Sequence, residues 1–342
     1  MSEDFLIGTY TKKDSKGMYA VTLDPDANEL VNDRLVIASQ KPAYLQFGNH
    51  HLIFAVRQEN DLGGVASYRV ENGQATLVDK SLSAGAPPAY VGVDLEHHRM
   101  FSANYHTADI NVYHINTDGT FTLTDSVHHE GTTGPQPEQI DGPHPHFADL
   151  TPDGRLAVCD LGMDLLVIYN ISSDGKLTAA GQYKFEPGFG TRHLVFHPNG
   201  QYVYVLGELS SKLAVLKYNA DDASFKHLQT IKTIPDDWTA HNGAAAIHTS
   251  KDGQFIYTSN RGENTIAVFK VQDDFTVNHI QSISTEGDFP RDFELSSDER
   301  FLVASNQNSD NLTLFTRNAD TGLLTMVQKD IASPEPVCVK KW

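Results

Sequence analysis

An all-β ring of repeated four-stranded sheets is what this sequence predicts, and three observations carry the prediction. Short β-rich runs ending in a polar residue occur seven times, as "FLIGTY", "LIFAVR", "MFSAN", "LAVCD", "VYVLGE", "FIYTSN" and "FLVASN". Their last residues are Tyr10, Arg57, Asn104, Asp160, Glu208, Asn260 and Asn306, at intervals of 47, 47, 56, 48, 52 and 46 residues. Counting from Asn306 past Trp342 and on from Met1 to Tyr10 gives 46 again, so the repeat closes on itself. No segment sustains a 3.6-residue apolar period, which argues against α/β barrels and dinucleotide-binding folds. Four antiparallel strands per unit of about 40 to 50 residues is the signature of a β-propeller blade. The reading is a seven-bladed β-propeller occupying residues 1–342 as one domain.

The elements follow in order. The chain opens inside a blade: residues 5 to 39 supply a second, third and fourth strand with no first strand before them. The next two units begin with "PAYLQF" and "AYVGVD". The third runs "PHFADL", a turn at Asp153-Gly154, "LAVCD", "DLLVIYN" and the more polar "KLTAAGQYKF". The fourth runs "RHLVFH", Asn199-Gly200, "VYVLGE" and "KLAVLKYN", and the fifth "AAAIHT", Asp252-Gly253, "FIYTSN" and "TIAVFKV". Asp-Gly and Asn-Gly between alternating apolar runs are strong short-range hairpin signals. The sixth runs "RDFELS", "FLVASN", "NLTLFTR" and "LLTMVQKDIA". Finally "PEPVCVK" supplies a first strand with no successors, the piece missing at the N-terminus. Joining the two completes a seventh blade and leaves no open sheet edge.

Composition narrows the function. A formal charge of −18 argues against nucleic acid and anionic membrane as partners, since both demand a basic face. The start "MSEDFLIGTY" lacks the basic and apolar regions of a signal peptide, and no run approaches the 18 apolar residues of a membrane span. Cys159 and Cys338 sit inside apolar runs and read as buried free thiols of a cytoplasmic protein. Nothing marks a protein partner.

Topology then sorts the polar residues by face. In an up-and-down blade the turn between strands one and two lies on one face of the ring. The turn between strands two and three, and the link to the next blade, lie on the other. First strands line the central channel, so residues at their start surround its mouth. His144 and His146, Arg192 and His193, His241 with Asn242, and Arg291 all fall there. Second-strand ends bring Asn104, Asp160, Glu208 and Asn260 to the same rim, with His106 just beyond. A cationic, His-rich mouth on an acidic protein suits a small anionic ligand. Asn104, Asn260 and Asn306 end strands, where an amide also serves the turn backbone. His197 and His248, at the far ends of their strands, read as structural, and His97, His98, His128 and His129 as solvated. Two histidines one apart on a strand are a weak metal signal, and no Gly-rich phosphate loop, HExxH or G-x-S-x-G elbow occurs. No metal or cofactor is expected.

The segments "GPHPHFADLTPDGRLAVCDLG", "GTRHLVFHPNGQYVYVLGELSSKLAVLKY", "HTSKDGQFIYTSNRGENTIAVF" and "FPRDFELSSDERFLVASNQNSDNLTLF" closely resemble the seven-bladed β-propeller lactonase family. That family holds propeller-type 6-phosphogluconolactonases and fungal 3-carboxymuconate cyclases, and the order HPH, RH, GE, PRD is specific to it. The resemblance spans essentially the whole chain. It implies hydrolysis of a sugar δ-lactone, as in the oxidative pentose phosphate pathway. The residues proposed as catalytic in the cyclase branch match His146, Arg192, Glu208 and Arg291. One departure is Ala246, where many members carry an acidic residue. On this reading His146 is a general base, and Glu208 orients it or takes the base role. Arg192 donates to the carbonyl oxygen, and Arg291 with His193 or His241 binds the phosphate. His144 and Asn104 complete the expected substrate contacts. A muconate-type cycloisomerase acting on a polycarboxylate and a non-catalytic binding platform are the alternatives. The platform predicts a chemically bland mouth, the reverse of this sequence.

Overall fold

The computed structural model describes residues 2–71 and 73–342 and contains seven four-stranded antiparallel sheets. Their innermost strands are Leu45–Phe47, Tyr90–Asp94, Pro145–Leu150, Thr191–Phe196, Gly243–Thr249, Pro290–Leu295 and Pro336–Lys341. Each of these packs against the innermost strands of the blades on either side, so the seven form a closed ring. The closing blade is assembled from both chain ends: Pro336–Lys341 pairs antiparallel with Glu3–Thr9, which pairs with Gly17–Asp24 and then Glu29–Ala38. The only helical element among the described residues is one 3₁₀ turn, Pro137–Gln139, in the long link before the third blade.

Burial explains why the middle strands read as near-continuous apolar runs. A propeller sheet is covered on both faces by neighbouring blades, so its second and third strands bury both sets of side chains. Phe255–Arg261 is buried at every position, and so are all residues of Phe301–Asn306. The outer strand meets water and alternates, as in Val277–Ser284 and Leu324–Ala332. The largest apolar cluster runs from the closing blade through the first four and includes Phe54, Phe101 and Phe189. Phe255, Phe293 and Phe315 fill the space between blades five and six, and each such ring contributes about 1.5–3 kcal/mol by leaving water.

The hairpin turns of the third, fifth and sixth blades, on the face away from the histidines, share one design. In the third blade Gly154 donates to the Thr151 carbonyl at 3.0 Å and Thr151 Oγ1 donates to Asp153 at 2.7 Å. Ser250, Asp252 and Gly253 repeat this at 2.9 and 2.6 Å. Only the fourth residue adopts a left-handed conformation, φ +81° at Gly154 and +72° at Gly253, which suits a residue without Cβ. The sixth blade has Glu299 there at φ +56°, which is why its sequence, "SDER", lacks the glycine signal.

Candidate active site

The site begins with a repeated irregularity in the inner strands. In the third blade Pro145 faces Asp160 and Phe147 faces Cys159, which leaves His146 as an extra residue. In the fourth, Thr191 faces Gly207 and His193 faces Leu206, leaving Arg192. In the sixth, Pro290 faces Asn306 and Asp292 faces Ser305, leaving Arg291. In the closing blade Val337 is the extra residue, between the pairs Thr9–Pro336 and Gly8–Cys338. A β-bulge bends its strand and re-aims side chains. Here each bulged residue lines the same cavity of about 320 Å³. The bulges also let adjacent residues share that cavity, Arg192 with His193 and Arg291 with Asp292, where regular alternation would send them apart.

Two buried guanidinium groups clasp one carboxylate. Arg192 Nε lies 2.7 Å from Glu208 Oε2, and Arg261 Nη2 lies 2.8 Å from Oε1. The first contact is close but poorly aligned, so it holds by charge and leaves Nε without a linear hydrogen bond. The fifth blade's irregular register between Ala244 and Ile247 frees backbone carbonyls that complete the cradle. Arg192 Nη1 donates to Ala245, and Arg261 donates to Gly243 at 3.0 Å and Ala244 at 3.3 Å. Burial alone would raise the Glu208 carboxyl, but Arg261 and Arg192 overcome it and hold its pKa below the ordinary value. Burial and Arg261 together draw Arg192 down to about 9, still charged at neutral pH. Arg192 Nη2 has no partner among the described residues and remains free for a ligand.

His146 stands beside this cluster. Burial first, then Arg192, Arg291 and Arg261, hold its pKa well below that of an ordinary imidazole, so it is neutral near pH 7. Its Nδ1 lies 3.2 Å from His193 Nε2, and His193 is held neutral in the same way by burial and Arg192. Between two neutral rings one nitrogen must donate and the other accept. When His146 Nδ1–H donates, its Nε2 carries the lone pair, and that atom has no hydrogen-bond partner among the described residues. Tyr44 and Tyr90 meet His193 edge-on at 6.2 and 5.6 Å and fix its plane.

Of the residues expected at or just beyond the mouth, His106, His146, Arg192, His193, Glu208 and Arg291 line the cavity. Glu208 makes its contacts with Arg192 and Arg261, and His193 is the group in contact with His146. His144, Asn104 and His241 do not line the cavity. The His144 ring is buried flat on Tyr105, with centroids 4.1 Å apart, its Nδ1 at the Tyr105 carbonyl and its Nε2 at Asp141. Both nitrogens are occupied, and it is Tyr105 that reaches the cavity. The Asn104 side chain accepts from the backbone of His106 and Thr107 and donates to Ala86, which ties down the turn beneath Tyr105. His241 is exposed on an adjoining cleft that shares Glu208 and Arg261. Asn306 and Asn260 are fully buried, with their side-chain amides donating to Thr313 Oγ1 and to the Thr233 carbonyl. His129 departs from its solvated reading: it is buried between Asp160 at 2.6 Å and Tyr169 at 2.8 Å, so that Asp160 can also hold the His144 amide at 2.8 Å. Ala246 is buried in the apolar cluster of blades five and six and brings no group to the cavity.

Arg261, Tyr10, Lys12, Lys41, Tyr44 and Tyr105 line the cavity without having been expected there. Arg261 directly follows Asn260 in "TSNRG", so its one sequence signal is its place one residue beyond a strand end. No group of three or more His, Cys, Asp or Glu among the described residues has the geometry of a metal site. No helix is long and apolar enough to cross a membrane.

Comparison with known proteins adds an independent line. The family described as "Lactonase, 7-bladed beta-propeller" matches residues 4–341. A 6-phosphogluconolactonase of Bacillus subtilis is 38% identical over 340 residues, covering 98% of this chain and 97% of its own length. A crystal structure of a Lactobacillus plantarum protein superposes with a TM-score of 0.98 at 50% identity, with complete coverage of both chains. The periplasmic gluconolactonase of Pseudomonas aeruginosa superposes with a TM-score of 0.93 at 27% identity over 100% of this chain and 99% of its own. The ring, the bulged inner strands and these relatives agree: the chain belongs to the seven-bladed β-propeller lactonase family and is a lactone-hydrolysing enzyme.

Proposed function

We propose that the substrate is 6-phosphoglucono-δ-lactone, opened to 6-phosphogluconate by a water molecule that His146 activates. The observation that carries this reading is a neutral imidazole in one cavity with Arg192, Arg261 and Arg291. A δ-lactone is an activated ester, so its hydrolysis needs an aimed water, a base and a donor for the developing oxyanion. His146 Nε2 takes the proton as the water oxygen bonds to the lactone carbonyl carbon. The oxyanion forms beside the free Nη2 of Arg192, whose guanidinium is already fixed by Glu208 and the Ala245 carbonyl. The tetrahedral intermediate then collapses, the bond to the ring oxygen breaks, and His146 returns the proton to that oxygen. Glu208 acts by holding two arginines at a set spacing, and His193 by holding the His146 tautomer. Arg291 has no ion-pair partner among the described residues and meets the phosphate. A phosphate monoester does not cross a bilayer unaided, so this reading puts the activity in the cytoplasm.

The test is ring opening of 6-phosphoglucono-δ-lactone with spontaneous hydrolysis subtracted. Wild type should accelerate it. His146→Ala should lower kcat about 100-fold or more, the size expected for loss of a general base, while 6-phosphogluconate still binds. A wild-type rate in His146→Ala removes His146 as the base. A wild-type protein that does not accelerate the reaction moves a cycloisomerase of the same polyanion site ahead.

A further inference from the structure

The cavity also carries cations that take no part in the bond-making and bond-breaking steps. Lys12, Lys41 and Arg291 line it, and none of the three has a carboxylate partner among the described residues. Lys12 Nζ lies 4.5 Å and Arg291 Cζ 5.5 Å from the centroid of the same ring, that of Tyr10. An aromatic face attracts each cation, but two on one ring with a third nearby repel one another unless an anion joins them. The lining carboxylates are already engaged. Glu208 sits between Arg192 and Arg261. Asp292 accepts from the Val339 amide at 2.9 Å and faces His248 at 3.8 Å.

The backbone holds these cations in place. The Glu335 carboxylate accepts from the amides of Lys12, Lys13 and Ser15 at 2.9, 2.9 and 3.3 Å and so shapes the loop that presents Lys12. Lys41 adopts a left-handed backbone, φ +47°, with its amide donating to Thr11 Oγ1 at 3.1 Å. Topology places Lys12 and Lys41 opposite the reacting groups, with Arg291 on the sixth blade between the two sides. Lys12 belongs to the closing blade and Lys41 to the link leaving it, whereas His146 and Arg192 sit on the third and fourth blades, as far around a ring of seven as two blades can be.

We infer that Lys12 and Arg291 at the Tyr10 ring, together with Lys41 in the same cavity, form a subsite for a phosphate monoester carried at the end of the substrate remote from the lactone carbonyl. The inference rests on the lactonase reading above and adds what selects the phosphorylated sugar over the plain one. The reacting carbonyl binds between His146 and Arg192, and the phosphate spans the channel to the opposite wall.

The experiment compares kcat/KM for 6-phosphoglucono-δ-lactone with that for glucono-δ-lactone, and takes their ratio in wild type, Lys12→Gln, Lys41→Gln and Lys12→Arg. Loss of one charge-assisted contact should lower the ratio about 10- to 100-fold in each Gln variant, and Lys12→Arg should restore most of it. Lys12 is exposed, so its replacement leaves the core untouched. A ratio equal to wild type in both Gln variants overturns the subsite. A third substrate, the 1,5-lactone of glucaric acid, carries a carboxylate instead of the phosphate. An equal dependence of that lactone on Lys12 overturns selection for phosphate. Should wild type open none of the lactones, the proposed activity fails on its own, and calorimetry of 6-phosphogluconate against gluconate still decides. A phosphate preference lost in Lys12→Gln upholds the subsite, and no preference in wild type removes it.

Discussion

Glu208→Gln removes one charge and almost no volume, and the structure specifies what should follow. The carboxylate lies 2.7 Å from Arg192 and 2.8 Å from Arg261, and both arginines are buried. At an effective dielectric of about 20 and charge centres about 4 Å apart, each contact supplies about 4 kcal/mol of attraction. The amide leaves two guanidinium groups facing each other. Part of the loss is recovered because they keep the carbonyls of Gly243, Ala244 and Ala245. Breaking a buried ion pair from one side costs about 3–5 kcal/mol. A chain of 342 residues has an unfolding entropy of about 0.7 kcal/mol per degree, so Tm should fall by about 4–7 °C. Scanning calorimetry in a buffer without anions that could fill the gap measures this directly. Millimolar phosphate should then raise the Tm of Glu208→Gln more than that of wild type, because an added anion replaces the missing charge and binds only the folded state. Lactone hydrolysis should fall about 100-fold as Arg192 loses its placement. A variant that melts within one degree of wild type and keeps its kcat would refute the claim that Glu208 holds the arginines.

Two further predictions concern titration and ring closure. Burial and the arginines hold His146 below the ordinary imidazole value, so the acid limb of kcat/KM should lie below pH 6.5, and a midpoint at or above 6.5 would exclude His146 as the base. The unfolded chain protonates at both His146 and His193 where the folded chain does not, so stability is fully present above about pH 6.5. It should fall as the pH drops through that value, by about 1.4 kcal/mol per pH unit for each ring, as urea titrations would record. Deleting Ser333–Trp342 removes the inner strand that pairs with Glu3–Thr9 and buries Val337, Cys338 and Val339. The product should be insoluble or melt without cooperativity, because a whole sheet edge and its apolar burial are lost together. A truncated chain that melts within a degree or two of wild type would remove the closure argument.

The number of blades, the split closing blade and the face that carries the cavity were legible in the sequence, because they depend on local rules. A two-residue alternation, turn signals at a near-constant interval and a count that returns to its start suffice to place each first-strand start around one channel. Which of those residues enter the cavity depends on something no local rule supplies. Alternation puts His144 and His146 on one side and separates Arg192 from His193. The structure does the opposite, turning His144 onto Tyr105 and bringing Arg192 and His193 together. The physical cause is a bulge at the start of the inner strand in the third, fourth and sixth blades, where one extra residue re-aims the side chains. Arg261, Lys12 and Lys41 were illegible for a related reason. They come from different blades and a link, and nothing marks them as neighbours until the ring closes and sets their charges around one cavity.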